Sequence, residues 1–401
     1  MSGLIHLTMN GVMNTVISGC PTYSFFLSNY KKPSNFSFEI VEKKSRENPA
    51  FGRTVSFDIP TDEGDLLNNV TLEVELTSDW AHSYSSRYVS TELGTRLVER
   101  VELLIGGQTI EVLTSDYIGI YQLLSNTSDD QKRALGDMTA QSYGNLYLEN
   151  EQKIKILLDI PFYFHRNASR NIPLCALNKH SVQIKITFAK EDDIVLQTSD
   201  VYTKQILNAS LYVKYGYIST LERNYIISEK IEHVIEQLQV ASFDVNHIPE
   251  NEKKSVMINF VNPVKELYFF TKTDRGSYTN ANLTNVGMPL KRICMKLNNA
   301  ICFDNDGIYF EYMQPYFNHT GLGWIDGYYE RNVHMHSFAM NPESNFPVGY
   351  VNMSRIINKE FTFTFDTNQY VWNFYDSSRV YVYARSYNVL CFKNGLGGLK
   401  F

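Results

Sequence analysis

The chain has 401 residues and a net charge of −6, with 43% hydrophobic, 20% charged and 13% aromatic residues, including 27 Tyr and 24 Phe. It is too long for one ordinary core and too apolar for disorder, so two packed domains are expected. No Lys/Arg run exceeds a pair, which argues against nucleic-acid binding through a basic surface, and the Tyr and Phe content favours an all-β fold.

Residues 1–22 are apolar without strand alternation and are expected to be an N-terminal arm that orders on neighbours or internal partners. They show no basic region ahead of an apolar run, so no signal peptide is expected, and no apolar run in the chain is long enough to cross a bilayer. Cys20, Cys175, Cys294, Cys302 and Cys391 are odd in number and widely spaced, which predicts buried free thiols and a reducing compartment.

From there, period-two alternation recurs. In "NVTLEVELTS", Val70, Leu72, Val74 and Leu76 face one way, while Thr71, Glu73, Glu75 and Thr77 face the other, which predicts a strand with one wet face. "VERVELLIGGQTIEVLT" reads as a hairpin turning at Gly106-Gly107. "TSDYIGIYQLL" and "TSDDQKRALGDM" read as short helices, and "SVQIKITF" is a strand again. "SEKIEHVIEQLQ" carries Ile231, Val234, Ile235 and Leu238 at helical spacing behind Ser228, and predicts a helix near the middle of the chain. "EFTFTFD", with Phe361, Phe363 and Phe365, returns to alternation.

Three pairs of segments correspond across that centre, in the same order and about 170 to 190 residues apart. "LLIGGQTI" pairs with "KLNNAICF", "IPLCALNKHSVQIKITF" with "FPVGYVNMSRIINKEFTFTF", and "SLYVKYGYI" with "SRVYVYARSY". The expectation is two copies of one β-domain: two tandem eight-stranded jelly-roll sandwiches joined by a short helix-containing linker. The boundaries expected are a first jelly roll at 23–220, a connecting helix at 221–240 and a second jelly roll at 241–401. Pro347 and Gly349 are expected where the chain crosses between sheets.

Several blocks resemble the major capsid proteins of nucleocytoplasmic large DNA viruses. "PTYSFFLSNYKKPSNFSFE" (21–39) is similar to the family's opening through Phe25, Phe26, Tyr30, Lys31, Lys32, Asn35 and Phe36. "VELLIGGQTIE", "DIPFYFHRNASRNIPLCALNKHSVQIKITF", "LYVKYGYISTLERNYIISEKIEHVIEQLQ" and "VNPVKELYFF" follow in family order. "SFAMNPESNFPVGYVNMSRI" matches its most characteristic pattern through Ser337, Phe338, Pro342, Glu343, Pro347, Gly349, Asn352, Ser354 and Arg355.

The resemblance implies a structural protein of the virion rather than an enzyme. It implies a homotrimer of pseudo-hexagonal outline, contacting neighbouring capsomers, that tiles the icosahedral capsid of a large dsDNA virus. Minor capsid proteins would be met through the N-terminal arm, and any internal membrane would lie beneath the shell without being crossed by this chain. The chain would be made in the host cytoplasm. A minor capsid or scaffold relative is one alternative; a tandem jelly-roll carbohydrate-binding protein or glycosidase, by fold analogy alone, is another.

No catalytic, cofactor-binding or metal-binding residues are assigned. Asp304 and Asp306 before Gly307 lack the other ligands of a calcium loop, and His334 with His336 lacks a third ligand. His165 and Arg166 beside Asn167 are read as a strand end facing water in preference to an anion site. Eight N-x-S/T sequons occur, and Asn126, Asn282 and Asn318, on expected loops, are the glycosylation candidates.

Overall fold

The structure is a computed structural model. It describes residues 4–5, 8, 12–13, 19–27, 32–77, 93–125, 148–149, 153–194, 205–245, 253–273, 290–321, 333–344, 346–365 and 378–401. Residues 1–35 form one compact unit and 36–401 another. Within the first, the Tyr23 and Phe25 rings meet edge to face at 5.2 Å.

The second unit begins with ten strands, β1 (Phe36–Lys44), β2 (Thr54–Ile59), β3 (Leu66–Thr77), β4 (Val98–Ile105), β5 (Gln108–Thr114), β6 (Leu148–Glu149), β7 (Lys153–Asp159), β8 (Ile172–Pro173), β9 (Val182–Phe188) and β10 (Ile206–Ile218). They form two antiparallel sheets, ordered β1-β10-β3-β7-β6, with β8 also on β3, and β2-β9-β4-β5. The strand order is that of a jelly roll. Alternation decides the faces: Leu67, Val70, Leu72, Val74 and Leu76 of β3 point inward with Val182, Ile184, Ile186 and Phe188 of β9. The β4–β5 turn needs two left-handed residues in succession, and Gly106 (φ +58°) with Gly107 (φ +81°) supplies them. "TSDYIGIYQLL" is helical as expected: α1 (Ser115–Leu124) is capped by the Thr114 hydroxyl, which accepts from the Tyr117 N–H. "TSDDQKRALGDM" lies outside the described residues.

After α2 (Thr220–Ser228) come β11 (Ile231–Asp244), β12 (Lys253–Met257), β13 (Pro263–Thr273), β14 (Leu290–Leu297), β15 (Ala300–Asp306), β16 (His334–Ser337), β17 (Val351–Asn352), β18 (Lys359–Phe365), β19 (Ser378–Lys393) and β20 (Leu396–Leu399). A further short helix, α3 (Gln314–Asn318), lies between β15 and β16. The sheets are β11-β19-β13-β16, with β17 on β13 and β20 on β19, and β12-β18-β14-β15. Strand for strand this is the first arrangement again, down to the short strand (β8 or β17) that pairs with the start of β3 or β13. The Asn298-Asn299 turn (φ +48° and +68°) takes the place of Gly106-Gly107. The second core is largely phenylalanine, with Phe269 within 5.2–6.4 Å of the rings of Phe303, Phe310, Phe361 and Phe363.

Three expectations are corrected. Residues 231–240 of the expected connecting helix belong to strand β11, paired along its whole length with β19 from Ile231↔Phe392 to Asp244↔Arg379. The helix is α2, just before it, which starts at Ser219, whose hydroxyl accepts from the Glu222 N–H, and ends at Ser228. "STLE" is a capping box, a start signal the apolar spacing of 231–238 overshadowed. Pairing across a whole sheet edge outweighed that spacing, and β-branched Ile231, Val234, Ile235 and Val240 suit a strand.

Secondly, Pro347 and Gly349 do not lie at the crossing. Residues 338–350 leave β16 and return to β17, both on the same edge of β13; the passage to the other sheet is made by 353–358, through the short turn Met353–Arg355. Gly349 (φ +141°) is needed where the segment closes on itself, because a Cβ there would stand 2.8 Å from the Phe338 carbonyl oxygen. Thirdly, all five cysteines are free, but Cys20 and Cys302 are exposed and the other three half-buried.

Candidate functional site at the junction of the two jelly rolls

The two sandwiches share an interface that the second one's β11-β19-β13-β16 sheet supplies. Leu267, Phe269, Val382 and Ala384 point into the second core. Their neighbours Tyr268, Phe270 and Tyr383, with Ile235, Leu390 and Phe392, belong to the same apolar cluster as the first core. This explains the unbroken apolar run "LYFF", since a strand covered on both faces has no wet side to record.

Polar groups cross the same junction. The Thr114 hydroxyl donates to the Tyr383 oxygen (3.1 Å), and the Tyr383 hydroxyl donates to Asp116 Oδ2 (3.4 Å), while Lys272 pairs with Asp116. Gln237 Nε2 donates to the Ile110 carbonyl (2.6 Å), and the Lys179 N–H to that of Gly395 (3.1 Å).

At its centre is a buried ion cluster drawn from five positions far apart in the chain. Arg385 on β19 reaches Glu111 on β5 (Nη1–Oε1, 2.7 Å) and Glu236 on β11 (Nε–Oε2, 3.2 Å). Arg170, from the first jelly roll, and Lys265, on β13, also hold Glu236, at 3.1 and 2.6 Å. Burial opposes the charge on Glu236, but Lys265, Arg385 and Arg170 together hold its pKa down at about 2. Glu111 is fully buried with only Arg385 and the Tyr163 N–H (2.8 Å) to stabilise its charge, and burial lifts it to about 7.

The cluster extends to the "SFAMNPES" segment. His319, just after α3, faces Glu266 through Nε2 (2.8 Å) and Glu343 through Nδ1 (3.2 Å). With a carboxylate at each nitrogen the ring is an imidazolium donating twice, and although burial works against the charge, Glu266 and Glu343 raise its pKa to about 9. Lys265 Nζ also donates to the Pro342 carbonyl (2.9 Å), so two cations clamp the segment to β13. Breaking one such buried pair costs about 3–5 kcal/mol, because the remaining charge is left without compensation.

The residues singled out from sequence are dispersed. Asp304 pairs with Arg292 (2.7 Å), and His336 packs on the Phe303 ring (4.3 Å), where burial lowers its pKa to about 4. His165 lies between Asn69 Oδ1 (3.0 Å) and Asp159 Oδ2 (3.4 Å). No group of three or more His, Cys, Asp or Glu side chains fit to hold a metal occurs among the described residues. Asn318 ends α3 with its amide donating to the Gln314 carbonyl (2.8 Å); Asn126 and Asn282 lie outside the described residues. The ion cluster itself was missed, since nothing local in the sequence links positions 111, 170, 236, 265, 319 and 385.

Two sandwiches of one strand order in tandem, packed through a shared sheet, define a double jelly-roll protein. Residues 24–219 match the family model for the major capsid protein N-terminus, and residues 222–398 that for the large eukaryotic DNA virus major capsid protein. The chain is 28% identical to the major capsid protein of Pyramimonas orientalis virus and 26% identical to that of Paramecium bursaria Chlorella virus 1, in both cases over 100% of this chain and 99% of the relative. Its fold is that of a chain in the quasi-atomic model of the PBCV-1 virus capsid (TM-score 0.77, 23% identity, covering 94% of this chain and 100% of that one). The chain belongs to the major capsid protein family of large eukaryotic DNA viruses.

Proposed function

We propose that this protein is the repeating tile of a virion shell: three copies associate into a capsomer of pseudo-hexagonal outline, and capsomers pack side by side into an icosahedral capsid. The observation that supports this best is the repeated strand order within one chain. Two like sandwiches per chain, three times over, make six similar units around an axis, and six-sided tiles cover a surface without gaps. Exposed Met340, Phe346, Tyr350 and Ile357, in and just after the segment from Ser337 to Arg355, suit contacts between copies. The N-terminal segment is the part of the chain assigned to minor capsid proteins, and synthesis in the host cytoplasm accords with five free thiols.

Native mass measurement on the purified protein, followed by negative-stain imaging, tests the reading. The expected result is a trimer of about three times 46.2 kDa with a hexagonal outline. A stable compact monomer under all assembly conditions overturns it.

A further inference from the structure

A cleft of about 260 Å³ opens at the junction, between the turn that follows β7, the face of α1 that carries Tyr117, Tyr121 and Leu124, and the segment around Glu343. Arg166, Arg170, Lys265, Arg385 and the His319 imidazolium line it with the carboxylates of Glu236, Glu266 and Glu343; Glu111 lies behind Arg385, and Asp159 faces the lining residue His165 (3.4 Å). Glu111, Glu236, Glu266 and Glu343 each already have a cationic partner. The Arg166 side chain is exposed and pairs with no carboxylate among the described residues.

Two tyrosines belong to the lining. Tyr117 and Tyr163 are each only 4% exposed, and the Tyr163 hydroxyl is buried without a hydrogen-bond partner among the described residues. A buried hydroxyl left unpaired costs about 1–3 kcal/mol, a cost at Tyr163 that a ligand in the cleft would relieve. Burial raises the pKa of both phenols, so each keeps its proton and can donate. Asn167 adds a donor: Ser169 occupies its side-chain oxygen, and its NH2 end has no hydrogen-bond partner among the described residues. Arg166 itself is held at φ +55°, a conformation uncommon for a side chain of this kind.

We propose that this cleft binds a carboxylate-bearing group, held by the Arg166 guanidinium and by the hydroxyls of Tyr117 and Tyr163. A guanidinium with hydroxyl donors beside it is the chemistry that recognises a carboxylate. The carboxylate belongs either to a free small acid or to an acidic side chain of a partner protein. The proposal does not depend on the capsid assignment.

Calorimetric titration and thermal shift on the full-length protein, at constant ionic strength held with chloride, test it with two probes. One is succinate; the other is a capped tripeptide with a central glutamate, with its glutamine counterpart as control. Saturable binding with a rise in Tm is expected, weakened about tenfold or more in Arg166→Gln and several-fold in Tyr117→Phe, which keeps the ring and its packing. Binding of succinate assigns the site to free acids, and binding of the glutamate peptide alone assigns it to a partner's side chain. The absence of saturable binding by either probe overturns the proposal. So does equal affinity in the wild type and in Arg166→Gln, whose folding is verified by its ligand-free Tm.

Discussion

The β1-β10-β3-β7 sheet of the first jelly roll and the β11-β19-β13-β16 sheet of the second have the same strand order and opposite surroundings. The first has a polar, half-buried outer face, where Glu73 and Glu75 face Lys155 (3.8 and 3.3 Å) and the Tyr212 hydroxyl donates to Glu73. The second has an apolar core on one side and the first jelly roll on the other. One topology therefore serves as an outer wall in one copy and an inner partition in the other. The chain records this in composition: β3 alternates as "TLEVELT", whereas β13 runs "ELYFFT". Charged groups differ in the same way, exchanging with water on the first sheet and locked into one network on the second.

The largest contrast is expected at the cations. Arg385→Ala leaves Glu111 without its buried cation and removes one of the three that hold Glu236, and should cost about 3–5 kcal/mol by chemical denaturation. Lys155→Ala on the outer sheet should cost less than about 1 kcal/mol. Equal effects would remove the distinction between the two sheets.

Next in size is a pH effect confined to the inner network. His319 has a folded-state pKa raised to about 9 by Glu266 and Glu343 against the opposing effect of burial. Its contribution is therefore complete below the unfolded value, about 6.5, and is lost as pH rises through 9, a decline on the order of 3 kcal/mol. Subtracting the stability–pH profile of His319→Gln from that of the wild type should isolate this fall; parallel profiles between pH 6 and 10 would refute it.

A smaller effect is expected from Tyr383→Phe. It removes the hydroxyl between Thr114 and Asp116 while keeping the ring in the interface, and should lower stability by about 1–2 kcal/mol. On the outer face, Tyr212→Phe removes one hydrogen bond to Glu73 that solvent can replace, and the denaturation midpoint should move by less than about 0.5 kcal/mol.

Much of the fold was legible because its signals are local. Alternation in "NVTLEVELTS" and "SVQIKITF" marked strands and their inward faces, and Gly106-Gly107 and Asn298-Asn299 marked hairpin turns by the backbone they require. Residues 231–240 were misread because apolar positions there fit a helical stripe as well as a strand, and pairing with β19, some 150 residues away, made the choice. Pro347 and Gly349 announced a bend without saying which two strands it joins. The anion-site reading of "FYFHRN" was set aside because the sequence places Arg166 beside His165 and Asn167 alone, and gives no sign of Tyr117 or Tyr163 in the same cleft.

What the sequence by itself determined is the all-β class, the duplication, the principal turns and the resemblance of the blocks, because each rests on residues within a few positions of one another or on their order. What only the tertiary structure decided is which sheet becomes the partition, that Glu111, Arg170, Glu236, Lys265, Glu266, His319 and Arg385 form one network, and that Arg166 is left over beside it. The physical reason is that ion pairs and desolvation depend on distance in space. Residues 111 and 385 meet at 2.7 Å only because two sandwiches, each folded on its own local pattern, then pack through a face whose burial no local pattern encodes.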